Sequence, residues 1–230
     1  MEKKSKAEKK DSKEVSKNVF GKNLEGKENK QLNYIIIIMA AVIIIFFIAY
    51  LFFQESKNID YKGLKFEKIM YGSLPLYHTK LPVKTLQGAV IANFNLFLRN
   101  DPRKLDKIPI EPAEGGIKLM KNIMVISIDE DLICEDNGIA GVSLGEFLRA
   151  SGINTIAGTT NISESNESGI AYADCSSSDY LTLMIEKADE TRIIQETLYC
   201  YRIEVANCEI VKAIERFMIG AITNSKSYAL

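Results

Sequence analysis

The side chains able to do chemistry are few and scattered. The chain of 230 residues holds four cysteines and one histidine. Cys134, Cys175, Cys200 and Cys208 include no CxxC pair, which removes the close ligand spacing of a zinc site and the thioredoxin-like redox motif. An even cysteine count suits two structural disulfides in an oxidising compartment. Three pairings exist. The favoured pairing is Cys200 with Cys208, tying the end of the last strand to the start of the last helix, which leaves Cys134 with Cys175 around the first helix. His78 lies between Tyr77 and Thr79 in a Pro-flanked segment. A serine hydrolase would have to use it, but the strand-to-helix setting of a nucleophile elbow is lacking: the GxSxG letters Gly141-Val142-Ser143-Leu144-Gly145 fall at the capping signal of an expected helix. Walker A and dinucleotide fingerprints are also missing. A pair of carboxylates acting as acid and base leaves no local signature, so a hydrolase using carboxylates or His78 stands as an alternative reading.

Three further clusters invite a functional reading. Asp129-Glu130-Asp131 followed by Glu135-Asp136-Asn137-Gly138 suggests calcium, but EF-hand spacing puts Ile133, Cys134 and Ala140 at required ligand or glycine positions. A solvated loop after a strand is expected there, with no metal and no cofactor. Asn161-Ile162-Ser163 and Asn166-Glu167-Ser168 are N-glycosylation sequons, making Asn161 and Asn166 candidate acceptors in a polar loop. Arg99, Arg103, Lys104 and Lys107 surround an Asp-Pro turn and form a candidate docking patch for an anionic partner or lipid headgroup. Asp101 and Asp106 offer partial neutralisation.

The elements that must position these residues fall into unlike segments. The whole chain is 47% apolar and 26% charged, with a net charge of -1. That balance describes an ordinary globular protein and argues against a nucleic-acid binder. It is an average over three parts. Residues 1–33 hold ten Lys and six acidic residues, a net of +4, with seven apolar residues, and should be a disordered tail. Residues 34–53 are twenty consecutive apolar residues without charge, Gly or Pro, long enough to cross a bilayer as a helix. Residues 54–230 hold 19 basic and 24 acidic residues, a net of -5. The charged region before the span is too long for a cleaved signal peptide, and no small-x-small site follows. A retained signal anchor is expected. The Lys-rich tail should stay in the cytoplasm, which puts the C-terminal part outside the membrane.

The expected organisation is a stalk over 54–63, one domain over 64–222 and a tail over 223–230. Residues 64–71 and 88–98 read as strands, with Phe94, Leu96 and Leu98 on one face. Residues 74–83 carry two Pro and suit an edge or loop. Residues 122–128 form a near-continuous apolar strand, a helix should open at Ser143 and stop at Gly152, and residues 154–157 suit a brief strand. Residues 180–186 and 192–205 read as a hairpin turning at Ala188-Asp189-Glu190. A helix over 208–222 carries the stripe Ile210, Val211, Ile214, Phe217, Met218 and Ala221. The expected class is α+β: an N-terminal transmembrane helix, then one domain with a mostly antiparallel sheet and two helices.

Phe97-Leu98-Arg99-Asn100-Asp101-Pro102-Arg103 and the run from Cys200 to Glu209 resemble segments of archaeal single-pass, membrane-anchored proteins. That resemblance would span 64–222 and implies an anchored extracytoplasmic domain, with no activity and no site residues attached. The expected function is binding or assembly with another envelope protein. The expected partners are the lipid bilayer and that protein, without nucleic acid. A further alternative reverses the topology, making the cysteines a cytoplasmic metal or thiol site.

Overall fold

The computed structural model describes residues 32–50, 58–84, 90–112, 116–176 and 178–224. The chain divides into two compact units, Met1–Ser56 and Lys57–Leu230. In the first, helix α1 runs Leu32–Tyr50 with a mean hydropathy of 2.9 and none of it buried. Among the described residues it is the one helix long and apolar enough to cross a membrane, by length and composition. Of the expected span, 51–53 lie outside the described residues, as do 1–31 of the expected tail.

The second unit opens with sheet A, four antiparallel strands in chain order: β1 Asn58–Tyr61, β2 Leu64–Tyr71, β3 Leu74–Lys84 and β4 Val90–Leu98. Two-residue turns join the first three strands. Lys62 and Gly63 carry φ of 49° and 82°, and Gly72 carries 62°, the backbone that a tight hairpin requires. Alternation sends Ile59, Tyr61, Leu64, Phe66, Leu81, Leu96 and Leu98 into the core. Two expectations are corrected here. Residues 58–61 were expected in the stalk, yet they form β1 because Ile59 and Tyr61 have a core to enter. Residues 74–83 were expected at an edge, yet β3 is an inner strand. Its prolines are tolerated because Pro75 pairs only with β2 and Pro82 only with β4, so each has an open side for its missing donor.

Sheet B has seven strands in the order β5-β10-β11-β9-β6-β7-β8. These are β5 Ile110–Glu111, β6 Ile123–Ile128, β7 Asn154–Thr159, β8 Ala171–Tyr172, β9 Leu181–Lys187, β10 Arg192–Thr197 and β11 Cys200–Val205. Helix α2, Asn137–Ala150, links β6 to β7, and helix α3, Ile162–Ser168, links β7 to β8. From β6 the chain steps outward through β7 and β8, then crosses back to β9 on the other side of β6. That return passes over the opposite face, where Cys175 is fastened to Cys200.

The α+β class holds, and the antiparallel pairing holds throughout sheet A. Sheet B is mixed: only β10 and β11 pair antiparallel. The expected hairpin at 188–190 is corrected accordingly. β9 pairs in parallel with β11, and β10 lies outside it. The run 192–205 breaks at Leu198 and Tyr199, where the Thr197 hydroxyl accepts from Tyr199 N at 3.3 Å. No Gly, Pro or Asn marks that turn. Among the described residues the domain holds three α-helices where two were expected beyond the membrane span, since the short α3 adds to α2 and to α4, Ile210–Asn224. Helix α2 also begins earlier than the capping signal at Ser143 suggested.

The last helix, α4 Ile210–Asn224, packs on β10 and β11 of sheet B and beside α2, and its Arg216 reaches the Tyr61 hydroxyl at the end of β1. Every residue from Ala213 to Ile222 is buried. A helix in the middle of a core must be apolar nearly all round. Phe217 meets Tyr201 of β11 edge-on at 5.6 Å, and helix α2 packs beside α4. The exceptions on α4 are Glu215 and Arg216, both buried.

Candidate functional site

The cysteines pair as Cys134–Cys208 and Cys175–Cys200, with Cα separations of 5.5 and 5.3 Å. The expected pairing of Cys200 with Cys208 is therefore corrected. Alternation along β11 turns Tyr201, Ile203 and Val205 toward α4 and Cys200 toward the opposite face. Cys208 lies beyond the strand at the head of α4, where the loop after β6 brings Cys134. Among the described residues no group of three or more His, Cys, Asp or Glu could hold a metal ion. The acidic run closes a turn instead: Asp129 Oδ1 accepts from Asp131 N at 3.0 Å.

The four cations of the docking patch take different roles. Arg103 folds back onto buried Asp101 at 2.6 Å, and that hydrogen bond holds the Asp101 carboxyl below the usual range. Lys104 and Lys107 are exposed. Arg99 turns to Asp136 at 3.3 Å, in a polar cleft of about 340 Å³ shared with Asn207, Cys208, Glu209 and Lys212. Asn207 and Cys208 both carry positive φ, 48° and 56°. Such backbone concentrates at functional sites and tight junctions. Lys212 pairs with Glu209 at 2.6 Å, so both cleft carboxylates face a cation.

Two buried charges beneath this region escaped the sequence reading. Glu215 accepts from Arg99 N, from Asn100 N at 3.1 Å and from Asn100 Nδ2 at 2.8 Å. Burial pushes its carboxyl up to about 7, against the pull of those hydrogen bonds. Arg216 donates to Ile108 O at 3.0 Å and pairs with Asp106 at 2.8 Å. Asp106 also accepts from the Tyr61 hydroxyl at 2.6 Å. Burial opposes its ionisation, yet bonds from Tyr61 and Lys62 hold its carboxyl below the usual range. The signal was present: two adjacent charges inside an otherwise apolar helical run.

His78 stands on the solvent face of sheet A. Its Nε2 lies 3.0 Å from Asn95 Oδ1 and its ring stacks on Phe97 at 4.7 Å. It lines a concavity of about 810 Å³ with Asp60, Lys65, Glu67 and Lys80. Glu67 sits directly across from it. Asp60 lies directly across from Lys65, an opposite-charge pair that suits a solvated face. Asn161 and Asn166 are exposed, but the expected polar loop holds α3, for which Asn161 is the N-cap. Its side chain accepts from Ser163 N at 3.0 Å.

The most open feature lies at β7. No described strand pairs with its free side along 154–157, because β8 meets only Gly158 and Thr159. Ile156 is 45% exposed there. Beside this edge runs an apolar groove of about 270 Å³, lined by Ile126, Ile128, Leu144, Ala157, Ile185 and Ile214 among others. Exposed Ile139 and Val142 of α2 add to its apolar surroundings. An unpaired edge next to an apolar groove can take an added strand: main-chain bonds supply affinity and the groove receives alternate side chains. Comparison with protein-family models, with curated proteins and with solved structures finds no match to this chain.

Proposed function

We propose that this chain is a single-pass, signal-anchored protein holding a disulfide-linked binding domain on the outer side of the cell membrane. Its role is binding or assembly with another envelope protein, contacted through β7. The open edge of β7 beside the apolar groove carries this reading. The Lys-rich tail before the helix and the two bridges support the orientation, since disulfides persist in oxidising compartments.

The hydrolase alternative has less support. Asp136 and Glu209 each face a cation, and Glu215 already accepts three hydrogen bonds. A cytoplasmic metal or thiol site would need thiolates, and all four cysteines are bridged. The test is a photo-crosslinking residue placed at Ile156 in the full chain in its own cells. A discrete adduct with one envelope protein is expected, absent when the probe replaces exposed Lys104. Equal labelling at both positions would overturn the reading.

A further inference from the structure

The strand ends that flank the Gly72-Ser73 turn between β2 and β3 are apolar and exposed, at a hairpin tip that is ordinarily polar. Met70 is 61% exposed, Tyr71 78% and Leu74 38%. Scattered exposed apolar residues need no explanation, but these three meet at one projecting tip. Tyr71 opposes Leu74, which puts both on one face of the ribbon, while Met70 opposes Pro75 on the other. A partner lying flat on one face of sheet A would leave the other half of this apolar tip in water. An apolar medium entered end-on would cover both faces together.

The pairing register gives the tip a direction. Asn58, the first residue of β1, opposes Glu67, and Tyr61 opposes Leu64. The chain therefore enters sheet A at the end that carries the tip. Tyr71 lies four residue steps beyond Glu67, so the tip projects ~13 Å beyond the entry point at the usual strand rise.

We propose that this tip is a second membrane contact, with Met70, Tyr71 and Leu74 entering the boundary between lipid headgroups and acyl chains. The inference rests on the reading of α1 as a membrane anchor. Tyrosine suits that boundary, because its ring is apolar and its hydroxyl reaches the headgroups. Exposed Lys68, just behind the tip, can keep its ammonium among the phosphates. Three side chains are too few to hold a free protein on a membrane. A tethered domain meets the surface at a high effective concentration, so a weak contact is enough.

The chain contains no Trp, so Tyr71→Trp introduces a single reporter. The full-length variant is reconstituted in phosphatidylcholine–phosphatidylglycerol vesicles carrying a spin label near the headgroups or deep in the acyl chains. Ile91→Trp is the comparison, since Ile91 is 67% exposed but lies at the other end of sheet A. The shallow label should lower the fluorescence of the Tyr71→Trp variant about twofold and the deep label less, while neither should affect the Ile91→Trp variant. Met70→Trp should repeat the result, and each variant must retain its disulfides. Unquenched fluorescence from Tyr71→Trp, on a chain that stays with vesicles through an alkaline wash, would overturn the tip contact and leave the anchor standing. Equal quenching of the Tyr71→Trp and Ile91→Trp variants would also overturn it. Loss of the chain in that wash would overturn the anchor itself.

Discussion

Glu215 shows how one side chain can set the pH response of this domain. Its carboxyl is raised from 4.5 to about 7 in the folded chain. A raised carboxyl favours folding below its unfolded pKa, and that contribution is lost as pH climbs to the folded value. The difference corresponds to about 3 kcal/mol lost between pH 4.5 and 7. Asp101, Asp106 and Glu209 are lowered and act in the opposite sense, losing their contribution as pH falls through their folded values. Stability should therefore decline from weakly acidic pH toward pH 8. Glu215→Gln should flatten that decline, whatever its absolute stability. Urea unfolding of the full chain in detergent micelles from pH 5 to 8 reads both slopes, and parallel slopes would refute this role.

At the scale of elements, α4 joins the core of sheet B to the strand ends of sheet A. It presents apolar side chains to sheet B and the charged pair Glu215–Arg216 to the strand ends and turn near sheet A. Phe217→Ala should cost about 3–5 kcal/mol, because a fully buried ring leaves a cavity that neighbours fill only in part. Exposed Lys212→Ala should change stability by under ~0.5 kcal/mol. Urea midpoints for the two variants make the comparison, and equal costs would mean α4 is not the shared core. The helical stripe from Ile210 to Ala221 was legible from its 3.6-residue period. The burial of the remaining faces was not, since a single helix does not reveal that α2 and the turn at Leu105–Lys107 cover the sides that sheet B leaves open. Sheet pairing was hidden for a related reason. The alternation at 192–205 marks strand residues but not the break at Leu198 or the insertion of β11 between β9 and β10.

For the whole molecule, the bridges and the span define the architecture. Cys134–Cys208 and Cys175–Cys200 close separations of 74 and 25 residues. Restricting the unfolded chain in loops of that size is worth about 4.5 and about 3.5 kcal/mol in the chain-entropy model. Protease treatment of intact cells should remove the C-terminal domain, and the unreduced chain should offer no reactive thiol, with four appearing on reduction. A protected domain with four reactive thiols would defeat the proposed orientation. Non-reducing peptide mapping should join Cys134 to Cys208, and a Cys200–Cys208 peptide would defeat the pairing.

The apolar span, the net charges of +4 and -5 around it and the α+β class were all readable along the chain. Each is a sum or a period over neighbouring residues, and neighbours suffice to define it. Which cysteines meet, which charges are buried and which edge stays open depend on residues 74, 116 and 45 positions apart arriving at one place. The close pair Cys200 and Cys208 fails to meet because a strand face and a helix start point them apart. That separation is a property of packing, and only the tertiary structure decides it.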